Sequence, residues 1–315
     1  MKPDVIVAYP LRPRHMEILE DTYTLHRLDL AQGAERDAVL DAAGGIASAM
    51  VVNGHVTVDK ALLDRLPALR LAACSSAGFD LMDVEEMTRR GVALTNTAPA
   101  LVDDVADMGL LLTLATRRRL IEADAYVRSG DWGRKGMFPL TTSAAGKRAG
   151  IVGLGNLGSA VARRYEALGL EIGYSGRRPK PGVGYRYFPD PVSLAEWADI
   201  LLVATPGGPE TEGLISAAVL EALGPGGSFI NIARGTVVDE AALIDALREG
   251  RIASAGLDVY LNEPAPDPAL TALDNVVLYP HHASGTEETR DRMAQMTLDN
   301  LAAFFAGEPL LTRVN

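Results

Sequence analysis

A chain of 315 residues, 48 % hydrophobic and 23 % charged, is long enough for two cores and too apolar for extensive disorder. Its formal net charge of −11 disfavours nonspecific binding to nucleic acid or to an anionic membrane. The single cysteine, Cys74, excludes an internal disulfide and a cysteine-rich zinc cluster, and no metal site is expected. The amino terminus runs straight into a strand pattern without a secretory signal, and no apolar run reaches the roughly 18 residues of a membrane span. A cytoplasmic protein with neither nucleic-acid nor membrane partners is therefore expected.

In chain order, residues 5–8, 49–52, 69–73 and 92–96 read as strands, with helical patterns such as 58–66 between them. Cys74 ends the apolar stretch Leu71-Ala72-Ala73-Cys74 and reads as a buried, inert thiol. A long helix is expected over 102–116 and another over 120–127. The basic run Arg117-Arg118-Arg119 between them reads as a solvated helix end. After the loop Gly130-Asp131-Trp132-Gly133 the alternation resumes, with strands at 149–152, 170–175, 200–204, 228–231, 253–257 and 276–279 and helices such as 194–198 and 240–249. A last helix over 287–306 places Met293, Met296, Leu301 and Phe304 on one face. Strands alternating with helices predict an α/β fold built on parallel sheets.

The run Ala149-Gly150-Ile151-Val152-Gly153-Leu154-Gly155-Asn156-Leu157-Gly158 is a buried strand ending in a Gly-x-Gly-x-x-Gly turn that opens a helix. Gly153 permits the tight turn, Gly155 lets the backbone approach a pyrophosphate, and Gly158 allows close packing of helix on strand. Phosphate charge would rest on the helix N-terminus, near Asn156 and Leu157. Where NAD-binding units place an acid for the ribose hydroxyls, about 20 residues past the first glycine, this chain reads Tyr174-Ser175-Gly176-Arg177-Arg178. The next carboxylate after Glu171 is Asp190. A serine hydroxyl and two guanidinium groups suit a 2′-phosphate, so NADPH is favoured over NADH, with NADH as the weaker alternative.

Ligand crevices of open parallel sheets lie at the carboxyl ends of the strands. Arg234, Asp258 and His281 each follow an expected strand, and Glu263 lies in the Asn262-Glu263-Pro264 turn just beyond Asp258. Hydride transfer to a 2-oxo acid needs a cation to grip the carboxylate and an acid to protonate the new alkoxide. Arginine offers a planar two-point grip, histidine exchanges a proton near neutrality, and a neighbouring carboxylate orients the imidazole. Arg234, His281 and Glu263 fit those roles.

With these residues in place the chain resembles the D-2-hydroxyacid dehydrogenase family along nearly its whole length. The resemblance is carried by Gly153-Leu154-Gly155-Asn156-Leu157-Gly158, Asn231-Ile232-Ala233-Arg234-Gly235, Gly256-Leu257-Asp258-Val259-Tyr260 with Asn262-Glu263-Pro264, and Pro280-His281-His282-Ala283-Ser284. Arg234, Glu263 and His281 lie 29 and 18 residues apart, as in the family's catalytic triad. The stretch Tyr174-Ser175-Gly176-Arg177-Arg178-Pro179 is most similar to the NADPH-dependent glyoxylate/hydroxypyruvate reductases, with hydroxyphenylpyruvate reductases close behind.

The resemblance implies a doubly wound Rossmann cofactor domain, residues 99–285, inserted into a smaller flavodoxin-like substrate domain, residues 1–98 and 286–315. It implies His281 as acid/base rather than the adjacent His282, because Pro280 immediately precedes it, with Glu263 as its partner and Arg234 as substrate anchor. Asp258 would meet the nicotinamide carboxamide, and Pro206 and Ile232 would line the cofactor site. Backbone N–H groups of Ser76-Ala77-Gly78 would receive the substrate carboxylate. Ser284 either touches a substrate hydroxyl or caps the last helix, and Trp132 either reaches a partner subunit's site or packs in a core. A homodimer through the cofactor domain and no further regulatory domain are also implied. The expected reaction is NADPH-dependent reduction of a small 2-oxo acid to the D-2-hydroxy acid. The alternatives are reduction of a bulkier aryl or sugar-derived oxo acid and a dinucleotide-sensing corepressor on the same fold.

Overall fold

The computed structural model describes residues 1–315 and divides into two compact units. Met1–Leu101 with Ser284–Asn315 form one, and Val102–Ala283 the other. The first boundary falls inside a continuous helix, Ala98–Arg117, and the second just ahead of the helix Glu287–Ala306.

The first unit carries a five-stranded parallel sheet of β1 (Asp4–Val7), β2 (Thr24–Arg27), β3 (Ala49–Val52), β4 (Leu71–Cys74) and β5 (Ala93–Thr95). The order is β2-β1-β3-β4-β5, the flavodoxin-like arrangement. Covered on both faces, β3 and β4 are apolar throughout and wholly buried. Successive residues of β1 feed opposite cores: Ile6 joins Met50, Ala72 and Leu63, whereas Val5 and Val7 join Leu19, Leu298 and Leu301. The last helix buries Met293, Ala294, Thr297, Leu298 and Leu301. Its docking stripe is thus rotated from the expected one, leaving Met296 and Phe304 half-buried at the margin. Strand β2 has no apolar run to announce it. It is a polar edge strand whose His26 Nε2 lies 2.8 Å from Asp4 Oδ1, and charged edges of this kind resist pairing with other chains.

The second unit holds seven parallel strands, β6 (Arg148–Val152), β7 (Glu171–Ser175), β8 (Arg186–Phe188), β9 (Ile200–Val203), β10 (Ser228–Asn231), β11 (Ser254–Leu257) and β12 (Val276–Leu278). Their order, β12-β11-β10-β9-β6-β7-β8, is doubly wound and reverses between β6 and β9, the switch point where such sheets bind ligands. Leu201, Val203, Phe229 and Leu257 pack beneath Leu220, Leu243 and Leu247. Three-residue β8 is another edge strand without an apolar signature.

Arg117 corrects the expectation of a solvated basic run. It is buried, its Nε donating to Ser143 O at 3.0 Å and an Nη to Ser228 Oγ at 3.4 Å, and burial lowers its pKa. The helical phase turns Arg117 inward, while Arg118 and Arg119 stay exposed. The same helix starts at Ala98 rather than 102, with Pro99 in its first turn, where a missing N–H costs nothing. No helix is long and apolar enough to cross a membrane.

Candidate active site

In the second unit the glycine turn leaves β6 and enters the helix Asn156–Ala167. A Cβ on Gly158 would stand 2.1 Å from Gly153 O, so the helix can approach the strand this closely only over a bare Cα. A Cβ on Gly155 would meet nothing within 4 Å, and no side chain caps this helix, which leaves its first N–H groups open to a phosphate. At the tip of β7, Ser175 Oγ is buried with no hydrogen-bond partner. An orphaned buried hydroxyl is costly unless a ligand satisfies it, and Arg177 and Arg178 stand exposed just beyond it. The residues present therefore fit a dinucleotide. Pro206 lies in the loop after β9, its carbonyl accepting from Thr211 Oγ1 at 2.8 Å, and Ile232 is buried directly after β10.

The ionisable groups come from the same end of three adjacent parallel strands. Arg234 follows β10, Asp258 and Glu263 follow β11, and His281 follows β12. Glu263 Oε2 lies 2.6 Å from His281 Nδ1, and Glu263 Oε1 accepts the Tyr260 N–H at 2.9 Å. Burial pushes the Glu263 carboxyl up, but the bonds from His281 and the Tyr260 N–H, with charge from His281 and Arg234, outweigh it and hold the pKa below 4.5. A carboxylate on Nδ1 fixes the ring and leaves Nε2 to exchange the proton.

Asp258 is 2 % exposed, and its oxygens accept the N–H groups of His282 at 2.9 Å and Ala283 at 3.3 Å. Burial raises its pKa, partly offset by the His282 N–H. The Asp258 carbonyl takes the His281 N–H at 2.7 Å, so one residue sets the backbone on both sides of the imidazole. His281 itself has φ +47°, a left-handed conformation that costs a non-glycine residue about 1–2 kcal/mol. Here the surrounding hydrogen bonds hold it in place.

Four supporting residues were not visible as site residues in the sequence. A Cβ on Gly235 would fall 2.0 Å from the Tyr260 carbonyl, so glycine lets the Arg234 loop lie against the Glu263 turn. Buried Glu240 accepts the Leu261 N–H at 2.9 Å, and Tyr260 Oη donates to Tyr279 O at 2.8 Å, tying the β11 turn to the segment before His281. Asn231 accepts from the Ala233 N–H and donates to Arg234 O, shaping the Arg234 loop. Only the Asn-x-x-Arg-Gly spacing could have signalled the last.

The structure thus brings Arg234, Asp258, Glu263 and His281 together. Ser76, Ala77, Gly78 and Ser284 belong to the other unit, the first three in the loop after β4. The cap of the last helix is Thr286, which accepts the Thr289 N–H at 3.1 Å, so capping is not Ser284's role. Trp132 is 59 % exposed on the short helix Asp131–Lys135 and packs in no core.

A sheet with a dinucleotide turn at its switch point and an arginine, a glutamate and a histidine at its carboxyl edge defines a nicotinamide-dependent dehydrogenase. The chain belongs to the D-isomer specific 2-hydroxyacid dehydrogenase family, whose NAD-binding domain matches residues 110–283. It is 45 % identical over 310 residues to a hydroxyphenylpyruvate reductase of Plectranthus scutellarioides, covering 98 % of each chain. To a 2-ketogluconate reductase of Gluconobacter oxydans it is 41 % identical over 313 residues, covering 99 % of each. Its structure matches an NADPH-dependent glyoxylate/hydroxypyruvate reductase of Sinorhizobium meliloti, solved with NADP and malonate. The TM-score is 0.89 at 39 % identity, over 100 % of this chain and 97 % of that one. The protein is an NAD(P)-dependent oxidoreductase acting on 2-oxo and 2-hydroxy acids.

Proposed function

We propose that the enzyme reduces a small 2-oxo acid of the glyoxylate/hydroxypyruvate type to the D-2-hydroxy acid, with NADPH as its preferred cofactor. The observation that carries this reading is the Glu263–His281 pair, 2.6 Å apart beside Arg234 at the carboxyl edge of the sheet. Protonated His281 supplies a proton from Nε2 to the carbonyl oxygen, Glu263 keeps the ring oriented, and Arg234 grips the substrate. Backbone N–H groups of Ser76, Ala77 and Gly78 receive the carboxylate. The bound nicotinamide supplies the hydride.

Unpartnered Ser175 Oγ with Arg177 and Arg178, and no acid at the tip of β7, support a 2′-phosphate ligand. A second reading, reduction of a bulkier aryl or sugar-derived oxo acid, is favoured by the names of the 45 % and 41 % identical relatives. Initial rates with NADPH and NADH against glyoxylate, hydroxypyruvate, phenylpyruvate and 2-ketogluconate decide between them. The first reading expects the highest kcat/KM for a small oxo acid with NADPH.

We further propose a homodimer through the cofactor domain. The helix Leu120–Arg128 buries none of its residues, and Ile121, Val127, Trp132, Met137 and Leu140 are all more than half exposed. A second copy of the chain would cover this apolar run, and light scattering should give twice the 33.4 kDa mass.

A further inference from the structure

The loop after β4 is organised by the side chains of Ser76 and Asn96. Strands β3, β4 and β5 are adjacent and parallel, so the segments following Val52, Cys74 and Thr95 leave the sheet at one edge. Three successive carbonyls of the β4 loop are each held there. Ser76 O accepts the Thr97 N–H at 3.0 Å, Ala77 O accepts from Asn96 Nδ2 at 3.0 Å, and Gly78 O accepts from Ser76 Oγ at 2.8 Å.

Every peptide bond in this loop is trans. In a planar trans peptide the N–H points away from the carbonyl of the preceding residue. Fixing the carbonyls of Ser76 and Ala77 on the Asn96-Thr97 turn therefore directs the N–H groups of Ala77 and Gly78 to the opposite side. Neither N–H donates to any group of the protein, and both residues are only half-buried. Successive free N–H groups turned the same way form an anion-receptive concavity.

The Ser76 hydroxyl is fully committed. It donates to Gly78 O and accepts the Gly54 N–H at 2.7 Å, while Cys74 Sγ lies 3.1 Å away. The hydroxyl thus clips the β3 loop to the β4 loop and has no proton left for a ligand. Asn96 is equally constrained. Its N–H donates to Thr312 O at 3.2 Å, and its carbonyl accepts from Thr312 Oγ1 at 2.6 Å. Thr312 is in turn held by Asn300, 1 % exposed on the last helix.

We propose that Asn96 and Ser76 are positioning residues for substrate binding, holding the Ala77 and Gly78 peptides so that their N–H groups face the substrate carboxylate. The proposal rests on the function given above. Asn96→Ala removes the donor on Ala77 O, Asn96→Asp replaces it with a repelling acceptor of the same size, and Ser76→Ala removes one oxygen atom and tests the clip with minimal risk to folding.

For Asn96→Ala and Ser76→Ala, KM for the oxo acid should rise about tenfold or more, with kcat changing less than threefold and the NADPH dissociation constant unchanged. Asn96→Asp should be worse than Asn96→Ala. Titration of oxalate, a non-reacting dicarboxylate, into the NADP-loaded enzyme should weaken in parallel. Unchanged KM and oxalate affinity in active Asn96→Ala and Ser76→Ala variants would overturn the proposal and leave the proposed function standing. A joint fall in kcat and NADPH affinity would also overturn it, since that pattern marks general loosening of the fold. Wild-type enzyme that neither reduces an oxo acid nor binds oxalate would sink both.

Discussion

Replacing Glu263 with glutamine tests the central pair with little change of shape. Its Oε1 must still accept the Tyr260 N–H, which lies 2.9 Å away and offers only a donor. The new amide NH2 is then forced towards His281 Nδ1, where Glu263 Oε2 now sits at 2.6 Å. Two donors would face each other whenever the imidazole is protonated, so the variant disfavours the form that donates the proton. A hydrogen bond to a charged group is worth about 1.5–3 kcal/mol, and with 1.36 kcal/mol per decade of rate the loss is roughly 10- to 150-fold in kcat for reduction. Stopped-flow single turnover with NADPH isolates this step from product release, and fluorescence titration should show unchanged NADPH affinity. His281→Gln should abolish turnover under the same conditions. A less than threefold change in single-turnover rate for Glu263→Gln would refute the assignment of Glu263 as the partner that keeps the imidazole in its proton-donating form.

Alanine at both Arg177 and Arg178 should raise KM for NADPH by about tenfold or more while leaving NADH within a factor of two, because only the 2′-phosphate offers these cations an anion. Equal losses for the two cofactors would show that the pair does not read the phosphate. Gly158→Ala places a Cβ 2.1 Å from Gly153 O, and such overpacking costs about 1–3 kcal/mol or more. A thermal melt should show a fall of several degrees together with weaker dinucleotide binding, and an unchanged melt would mean that helix and strand can part. For pH, the Glu263 pKa is depressed below 4.5, so the stability from its pairing is fully present above pH 4.5 and lost as pH falls through the lower folded value. Wild type should therefore lose stability below pH 4.5 more steeply than Glu263→Gln, and superimposable acid melts would contradict the depressed value.

Much of this protein was legible locally. The glycine turn, the apolar runs of β3, β4, β9 and β10, and the strand tips bearing Arg234, Asp258 and His281 can be read because periodicity and turn chemistry are properties of neighbouring residues. The edge strands β2 and β8 escaped because a strand with a solvent-facing edge needs no apolar run. The burial of Arg117 is hidden in the sequence because the groups that satisfy its guanidinium, the Ser143 carbonyl and the Ser228 hydroxyl, lie far along the chain.

By itself the sequence determined which chemical groups the molecule owns and at which ends of which strands they stand. Only the tertiary structure decided their company: Glu263 against His281, Gly235 beneath Tyr260, Glu240 under Leu261, and Asn96 on the carbonyl of Ala77. Each of these contacts joins segments that meet only after parallel strands have set their edges side by side. Hydrogen bonds act over about 3 Å, and a linear pattern carries no information about which distant donor will arrive within that range.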